Sequence, residues 1–441
     1  MDRPLSPLEN FMWLLDQGAS QNFVMVARVS GNLTEPVLRQ ALDLMQKKYP
    51  PLCARIDPLP SPRFVSEGVP PIPLRIIEKK DDNHWINEAE TEMPHLLPWK
   101  QGPFVRVLKM DSKENCDLLV TFCHVLFDAT SAVLFLKDLL TFSSGLIRGE
   151  TIAVTTALPT LPSVLDLLKP GLKFKPSFLY IPTQVKLALY KKANLPPDPA
   201  NINGNGETVG KRKNMTRIIQ RTLSKAESKK IMTRSRKEKT TVHGTLSASM
   251  LQTLVEQIRK FPGYKQKGPL FIGCITPLNM RNACKIPVGD NMGNFITDAI
   301  HYQSVDDSSP LMEASRAVEN AFRRELDFNR HIKLVIKMAK LLEKTSDPSE
   351  IAKSIDISFP SVGVTNMGVL DIPETFGDLV LEKIHFSPAI DPVVKFGLSI
   401  CSFRGDVTLN FLYLDPWIPR EKAYSMAESV VKRLKDAINR G

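Results

Sequence analysis

The sequence lacks the features that mark several large classes of protein. It contains no run of about 18 apolar residues able to cross a bilayer, and the opening stretch, Met1 to Glu9, has no apolar core of a secretory signal. A soluble, cytoplasmic chain without a transmembrane segment is therefore expected. The six cysteines, Cys53, Cys116, Cys123, Cys274, Cys284 and Cys401, are scattered without a CxxC pair, and the histidines form no cluster at zinc spacing. Reduced thiols used as small core residues are expected, with no metal and no disulfide framework.

What is present is the composition of a folded protein. A chain of 441 residues, 43% hydrophobic and 24% charged, has the length of two or three domains at roughly 150 residues each. Ser6-Pro7-Leu8-Glu9 is a capping box with proline at the first helical position, so a helix should run through Phe11 to Leu15. A strand at 22–30 follows, then a helix opened by Thr34-Glu35-Pro36, in which Val37, Leu38, Ala41, Leu42 and Met45 recur at helical spacing. Eight prolines between Pro50 and Pro73 restrict that segment to loop and edge strand. Strands at 73–78, 104–110 and 117–123 and a helix at 130–142 complete the first half.

The stretch from Asn194 to Gly206 is the clearest linker. It divides the chain into an N-terminal half, 1–193, a linker, 194–210, and a C-terminal half, 211–441. The second half repeats the pattern of the first, with helices at 224–233 and 242–260, strands at 270–276, 361–365, 379–386, 396–403 and 407–414, and a terminal helix at 420–438. The fold class expected is α/β, two halves each with a mixed sheet flanked by helices and a cleft between them.

The net charge of +11 is local. Twelve Lys and Arg residues stand between positions 211 and 239 against only Glu227 and Glu238, so +10 of the +11 lies there. Such a run is either a solvated face or a landing site for phosphates or an acidic protein. No aromatic platform interleaves the cations, which disfavours nucleic acid. A peripheral nucleic-acid or anionic-membrane binder is the reading from another class.

The segment Leu118-Leu-Val-Thr-Phe-Cys-His124-Val-Leu-Phe-Asp128 carries the chemistry. A buried strand ends at Cys123 and a helix begins after Asp128, so the turn between them can present the His124 imidazole to a cleft as a general base. Asp128 either caps that helix or pairs with an arginine. A structural histidine beside an N-cap aspartate is the plainer reading of the same residues. His243 and His385 read as packing residues in a helix and a strand.

The segment resembles the HHxxxDG motif of the condensation and chloramphenicol acetyltransferase-like superfamily of acyltransferases, with Cys123 in place of the first histidine and Ala129 in place of the glycine. Leu5 to Glu9, Val29 to Thr34, Tyr49-Pro-Pro-Leu, Thr241 to Ala248, Pro277-Leu-Asn279-Met-Arg281, Gly289 to Asn294 and Val364-Thr365-Asn366-Met-Gly368 are similar to further family segments in the same order. No DFGWG sequence is present, and the polyketide-associated acyltransferases and alcohol acetyltransferases are the nearest branch.

The resemblance implies two chloramphenicol-acetyltransferase-like halves around an active-site channel. His124 would be the catalytic base, and Asp128 and Arg281 an organising pair across the halves. Asn279, Asn294, Thr365 and Asn366 would contact substrate, and Arg234, Arg236 and Lys237 would dock the donor or its carrier. The donor would be an acyl thioester, either acyl-CoA or acyl carrier protein, with CoA or phosphopantetheine as co-substrate and no permanently bound cofactor. The acceptor would be an alcohol, giving an ester in polyketide, lipid or other secondary metabolism, on a monomeric enzyme. A condensation domain forming an amide with an amine is the alternative, as is a silent carrier-protein-binding member.

Overall fold

The protein is described from a computed structural model that covers residues 1–154, 156–173, 214–262, 264–342, 361–390 and 394–439. The linker expected at 194–210 and the first cations of the basic window, Lys211, Arg212 and Lys213, lie outside the described residues.

The chain opens with β1 (Arg3–Pro4) and α1 (Pro7–Gly18). The capping box is formed: the Ser6 hydroxyl accepts the Glu9 N–H at 3.2 Å, and the Glu9 carboxylate accepts the Ser6 N–H at 2.8 Å. The central strand of the first sheet, β2 (Asn22–Ser30), is buried along almost its whole length. Phe23, Met25, Ala27 and Val29 pack into one apolar cluster with α2 (Glu35–Lys48). Val24 and Val26 pack into another, with Trp85 and Ala89 of α3 (His84–Glu92). A strand covered on both faces loses the polar alternation and keeps the period of two.

The proline-rich segment forms β3 (Arg55–Asp57) and β4 (Arg63–Val65), which join β1 in a small sheet. Then come β5 (Leu74–Glu78), β6 (Val105–Asp111), β7 (Asn115–Cys123), α4 (Ala129–Ile147) and α5 (Val164–Leu167). Past the undescribed linker come β8 (Met215–Leu223), α6 (Lys225–Lys237), α7 (Val242–Arg259), β9 (Leu270–Asn279), β10 (Ile296–Val305), α8 (Leu311–Asp327) and α9 (Arg330–Leu342). The chain closes with β11 (Ser361–Val369), β12 (Thr375–Phe376), β13 (Leu379–Pro388), β14 (Phe396–Phe403), β15 (Asp406–Asp415) and α10 (Arg420–Asn439).

Two mixed sheets were expected, one to each half; two six-stranded mixed sheets result, and the first takes β12 and β13 from the second half. The second runs β10-β9-β11-β14-β15-β8, with Leu251, Val255 and Ile258 of α7 and Met426, Val430 and Leu434 of α10 in its core. The first runs β12-β13-β2-β7-β6-β5. Its β13 comes from the second half of the sequence and pairs antiparallel with β2, from Val380 opposite Ser30 to Pro388 opposite Phe23.

Among the described residues α4 alone has the length and apolarity of a membrane-crossing helix. Its place in the fold accounts for both. Phe135, Leu136, Leu139 and Leu140 are buried against the first sheet, and Ala129, Val133 and Leu134 wall a cavity.

Candidate active site

The turn between β7 and α4 holds His124 at four points. Its N–H donates to the Gln21 carbonyl at 3.0 Å, which extends the β2–β7 ladder by one residue. Its carbonyl accepts the side-chain amide of Asn294. Its ring lies against Phe23, with centroids 4.4 Å apart, and its Nδ1 lies 2.9 Å from the Phe127 carbonyl oxygen.

A carbonyl oxygen only accepts, so Nδ1 carries the proton and Nε2 is left with a lone pair. Burial pushes the imidazole down to about 4, against the smaller opposing pulls of the Phe127 carbonyl and the Asp128 carboxylate. The ring is therefore neutral at pH 7.

Asp128 is fully buried at the N-cap of α4. Its Oδ1 accepts from the Ser131 N–H at 2.8 Å, the Ser131 hydroxyl at 2.9 Å and Arg281 Nη2 at 3.0 Å. Its Oδ2 accepts from Arg281 Nη1 at 2.5 Å and the Phe295 N–H at 3.0 Å. Every lone pair is engaged, so Asp128 is an anchor and has no capacity left to exchange protons with a ligand. The Arg281 guanidinium also lies 4.7 Å over the Phe295 ring. The pair joins the halves, because Asp128 stands before α4 and Arg281 just after β9.

A cavity of about 390 Å³ opens beside this seam. His124, Thr130 and Lys137 line it from the first half, Asn279, Asp290, Thr365, Asn366 and Asp371 from the second, with Val133, Leu134, Leu278, Ile296, Met367 and Phe386 as apolar wall. A few convergent polar groups in an apolar pocket of this size are the usual form of a small-molecule site. A larger cavity, about 540 Å³, lies at the other end of β7 among residues 31–35 and 109–116 and contains none of the candidate residues.

The structure thus brings His124, Asn279, Thr365 and Asn366 to one cavity. The Asn279 amide donates to the Thr130 hydroxyl at 3.1 Å, and the Asn366 carbonyl accepts the Gly368 N–H at 2.8 Å. Asn294 is placed differently, behind the His124 backbone. Among the described residues no group of three or more His, Cys, Asp or Glu is placed to hold a metal.

Comparison with known proteins shows what this fold is similar to. Residues 213–410 match the family described as phthiocerol/phthiodiolone dimycocerosyl transferase C-terminus. Trichothecene 15-O-acetyltransferase from Fusarium sporotrichioides superposes with a TM-score of 0.73 at 14% identity, over 99% of this chain and 95% of that one. Polyketide synthase associated protein 5 from Mycobacterium tuberculosis gives 0.69 at 14% identity, over 98% and 97%. The first condensation domain of the calcium-dependent antibiotic synthetase gives 0.71 at 14% identity, over 99% and 97%. The chain therefore shares the fold of these three proteins over nearly its whole length. No curated protein matches it in sequence.

The segment around His124 departs at two positions from the motif it resembles. Cys123 is fully buried in the core and is absent from the cavity lining, and Ala129 lines the cavity. The three cations proposed for docking lie elsewhere. Arg234, Arg236 and Lys237 end α6, which packs beside β8 at the edge of the second sheet, whereas the cavity residues of that sheet lie on β9, β10 and β11. Arg234 is tied to Glu238 at 3.0 Å, and Arg236 and Lys237 are exposed. Arg217 and Arg221 of the same window are likewise paired, with Glu90 and Glu428.

Sequence reasoning missed Ser131, whose hydroxyl donates to Asp128 and accepts the Gly293 N–H, and Phe23, the floor under the imidazole. Gly293 is 162 positions from Ser131, and no local spacing announces it.

Proposed function

We propose that the protein transfers an acyl group from a thioester to an alcohol with His124 as general base. The observation that carries this reading is the 2.9 Å contact of the His124 Nδ1 with the Phe127 carbonyl, which sets the tautomer. With Nδ1–H held by the Phe127 carbonyl, Nε2 is unprotonated in a cavity walled by both halves.

The acceptor hydroxyl gives its proton to Nε2 as its oxygen bonds to the thioester carbonyl carbon. The tetrahedral adduct then collapses, the C–S bond breaks, and the proton passes from Nε2 to the leaving thiolate. Desolvation disfavours the transient imidazolium, and the Phe127 carbonyl and the Asp128 carboxylate favour it. The amide of Asn366, with its own carbonyl committed to Gly368, is a donor available to the oxyanion. Asn279 and Thr365 are further polar contacts for the substrate. Asp128 and Arg281 hold the turn and take no proton.

The donor is acyl-CoA or an acyl carrier protein, and no metal or permanently bound cofactor enters these steps. The His124→Ala variant, assayed by mass spectrometry of thioester consumption with a panel of alcohols and amines, is expected to lose at least about 100-fold in turnover with an unchanged melting temperature. Wild-type rates in that variant would refute the role. Amide products from the wild-type chain would move the acceptor to amines.

A further inference from the structure

The last turn of α1 contains a costly residue. Asp16 is 2% exposed, forms no ion pair among the described residues, and sits at the helix end where the backbone carbonyls already concentrate negative charge, with no basic residue in that turn. Burial pushes its carboxyl pKa upward. A fold does not gain stability from such a group, so its contacts indicate what it does.

There are two. Its Oδ1 accepts the Gln21 N–H at 2.8 Å, and its carboxyl lies close enough to the Cys123 thiol to raise that thiol's pKa. Gln21 is the residue whose carbonyl accepts the His124 N–H, and Cys123 is the residue covalently before His124. Both of its contacts therefore lie one step from the same residue, one through a hydrogen bond and one through the chain. Asn294 fixes the His124 carbonyl and Phe127 fixes the ring. From α1, Asp16 reaches Gln21 with its side chain.

We propose that Asp16 is a positioning residue for His124, fixing through its bond to the Gln21 N–H the residue whose carbonyl accepts the histidine N–H. The inference rests on His124 being the catalytic base. An error of about 1 Å in a base's position is enough to cost on the order of 100-fold in rate.

The test uses the full chain. Asp16→Leu keeps the branched shape in a larger side chain and removes the buried carboxyl, so a fall of a few degrees in melting temperature is expected while kcat falls about 10-fold or more and KM stays within about twofold. Asp16→Asn keeps an acceptor oxygen for Gln21 and should retain kcat within about twofold. Gln21→Pro deletes the N–H that Asp16 holds but keeps the carbonyl that His124 needs. It should reproduce the loss, and it serves as the test if Asp16→Leu does not fold. A substrate-free readout is the ¹⁵N NMR of the His124 ring, which should show the Nδ1–H tautomer in wild type and Asp16→Asn and exchange between tautomers in Asp16→Leu. Wild-type kcat and tautomer in Asp16→Leu would overturn the inference. So would an equal loss in Asp16→Asn, which would assign the effect to charge. The His124→Ala variant separates the two readings, because its full activity would refute the base itself, whereas its inactivity beside a normal Asp16→Leu would refute only the positioning role.

Discussion

Asp128 and Cys123 flank His124 in the sequence and behave oppositely. Asp128 exchanges hydration for five hydrogen bonds, two of them from Arg281. Removing one partner of such a pair strands a buried charge, which costs about 3–5 kcal/mol. Arg281→Ala and Asp128→Ala should each lower stability by that order in urea melts, and Asp128→Ala should also lose the helix cap. The double variant should be less destabilised than the sum, because the second deletion removes the stranded charge. Additive losses would mean that the two side chains stabilise the fold separately. Cys123 is a fully buried thiol whose pKa is held well above its ordinary value, first by burial and then by Asp16. Thiolate is the reactive form, so alkylating reagents at pH 8 should leave Cys123 unmodified and activity unchanged in the folded chain, while the half-buried Cys53 reacts first. Inhibition that tracks labelling at Cys123 would show that the thiol reaches the cavity.

At the scale of elements, the cavity depends on a strand the first half does not encode. β13 crosses to pair with β2, and its Phe386 and Pro388 line the cavity. The Phe386 carbonyl is held back to the second sheet by the Ser399 hydroxyl at 2.5 Å and the Asn410 amide at 3.0 Å, and Asn410 also donates to the Ser387 hydroxyl at 3.1 Å. These bonds bolt the two sheets together at the wall of the site. Asn410→Leu removes one of the two donors to the Phe386 carbonyl and the donor to the Ser387 hydroxyl, so it should cost about 1–3 kcal/mol of stability and raise KM more than it lowers kcat. Unchanged KM would place the wall beyond the influence of Asn410. The strand β13 itself was readable as a strand from Leu379, Leu381 and Ile384, but its partner was not, since pairing with β2 is a contact across some 350 positions. Local signals had the opposite fortune. The capping box at Ser6 and the period of α2 are short-range chemistry, and each appears where the sequence indicated. β8 was hidden because its Arg217 and Arg221 read as part of a charge run, whereas the fold pairs them with Glu90 and Glu428. The site divides the same way. The turn bearing His124 and Asp128 is local and was legible, as was Arg281 by resemblance, while Phe23, Asp16 and Ser131 act through partners that only the tertiary fold supplies.

Over the whole molecule, two charge distributions set how stability responds to solution conditions. Lys225, Lys229, Lys230, Arg236, Lys237 and Lys239 remain exposed along α6 and its exit, so moderate salt should stabilise the chain slightly by screening their repulsion. The larger response is to pH, and it comes from buried histidines. Burial first, and for His301 and His385 nearby cations in addition, hold His243 and His301 at about 4 and His385 at about 3. His301 also feels His243, so charging either raises the cost of charging the other. His385 is stacked on Trp85 with centroids 4.1 Å apart, in the layer between α3 and the first sheet. In the unfolded chain each titrates near 6.5. As pH falls from about 7 toward 4 the unfolded state therefore binds protons that the native state refuses, and stability drops by up to about 1.4 kcal/mol per pH unit for each such histidine. The depressed carboxylate Glu256, at about 2, loses its contribution only once the unfolded carboxylates begin to protonate near 4.5, below most of that window. Asp16 and Glu325, pushed upward by burial, act in the opposite sense, stabilising more as pH falls. Urea melts at pH 7, 6 and 5 should show the midpoint falling at constant m-value. His385→Phe, which keeps a ring for Trp85, combined with His301→Gln should flatten that slope by about two histidines' worth while changing stability little at pH 7. A slope identical to wild type would mean that these rings reach solvent and that the acid sensitivity belongs to the carboxylates.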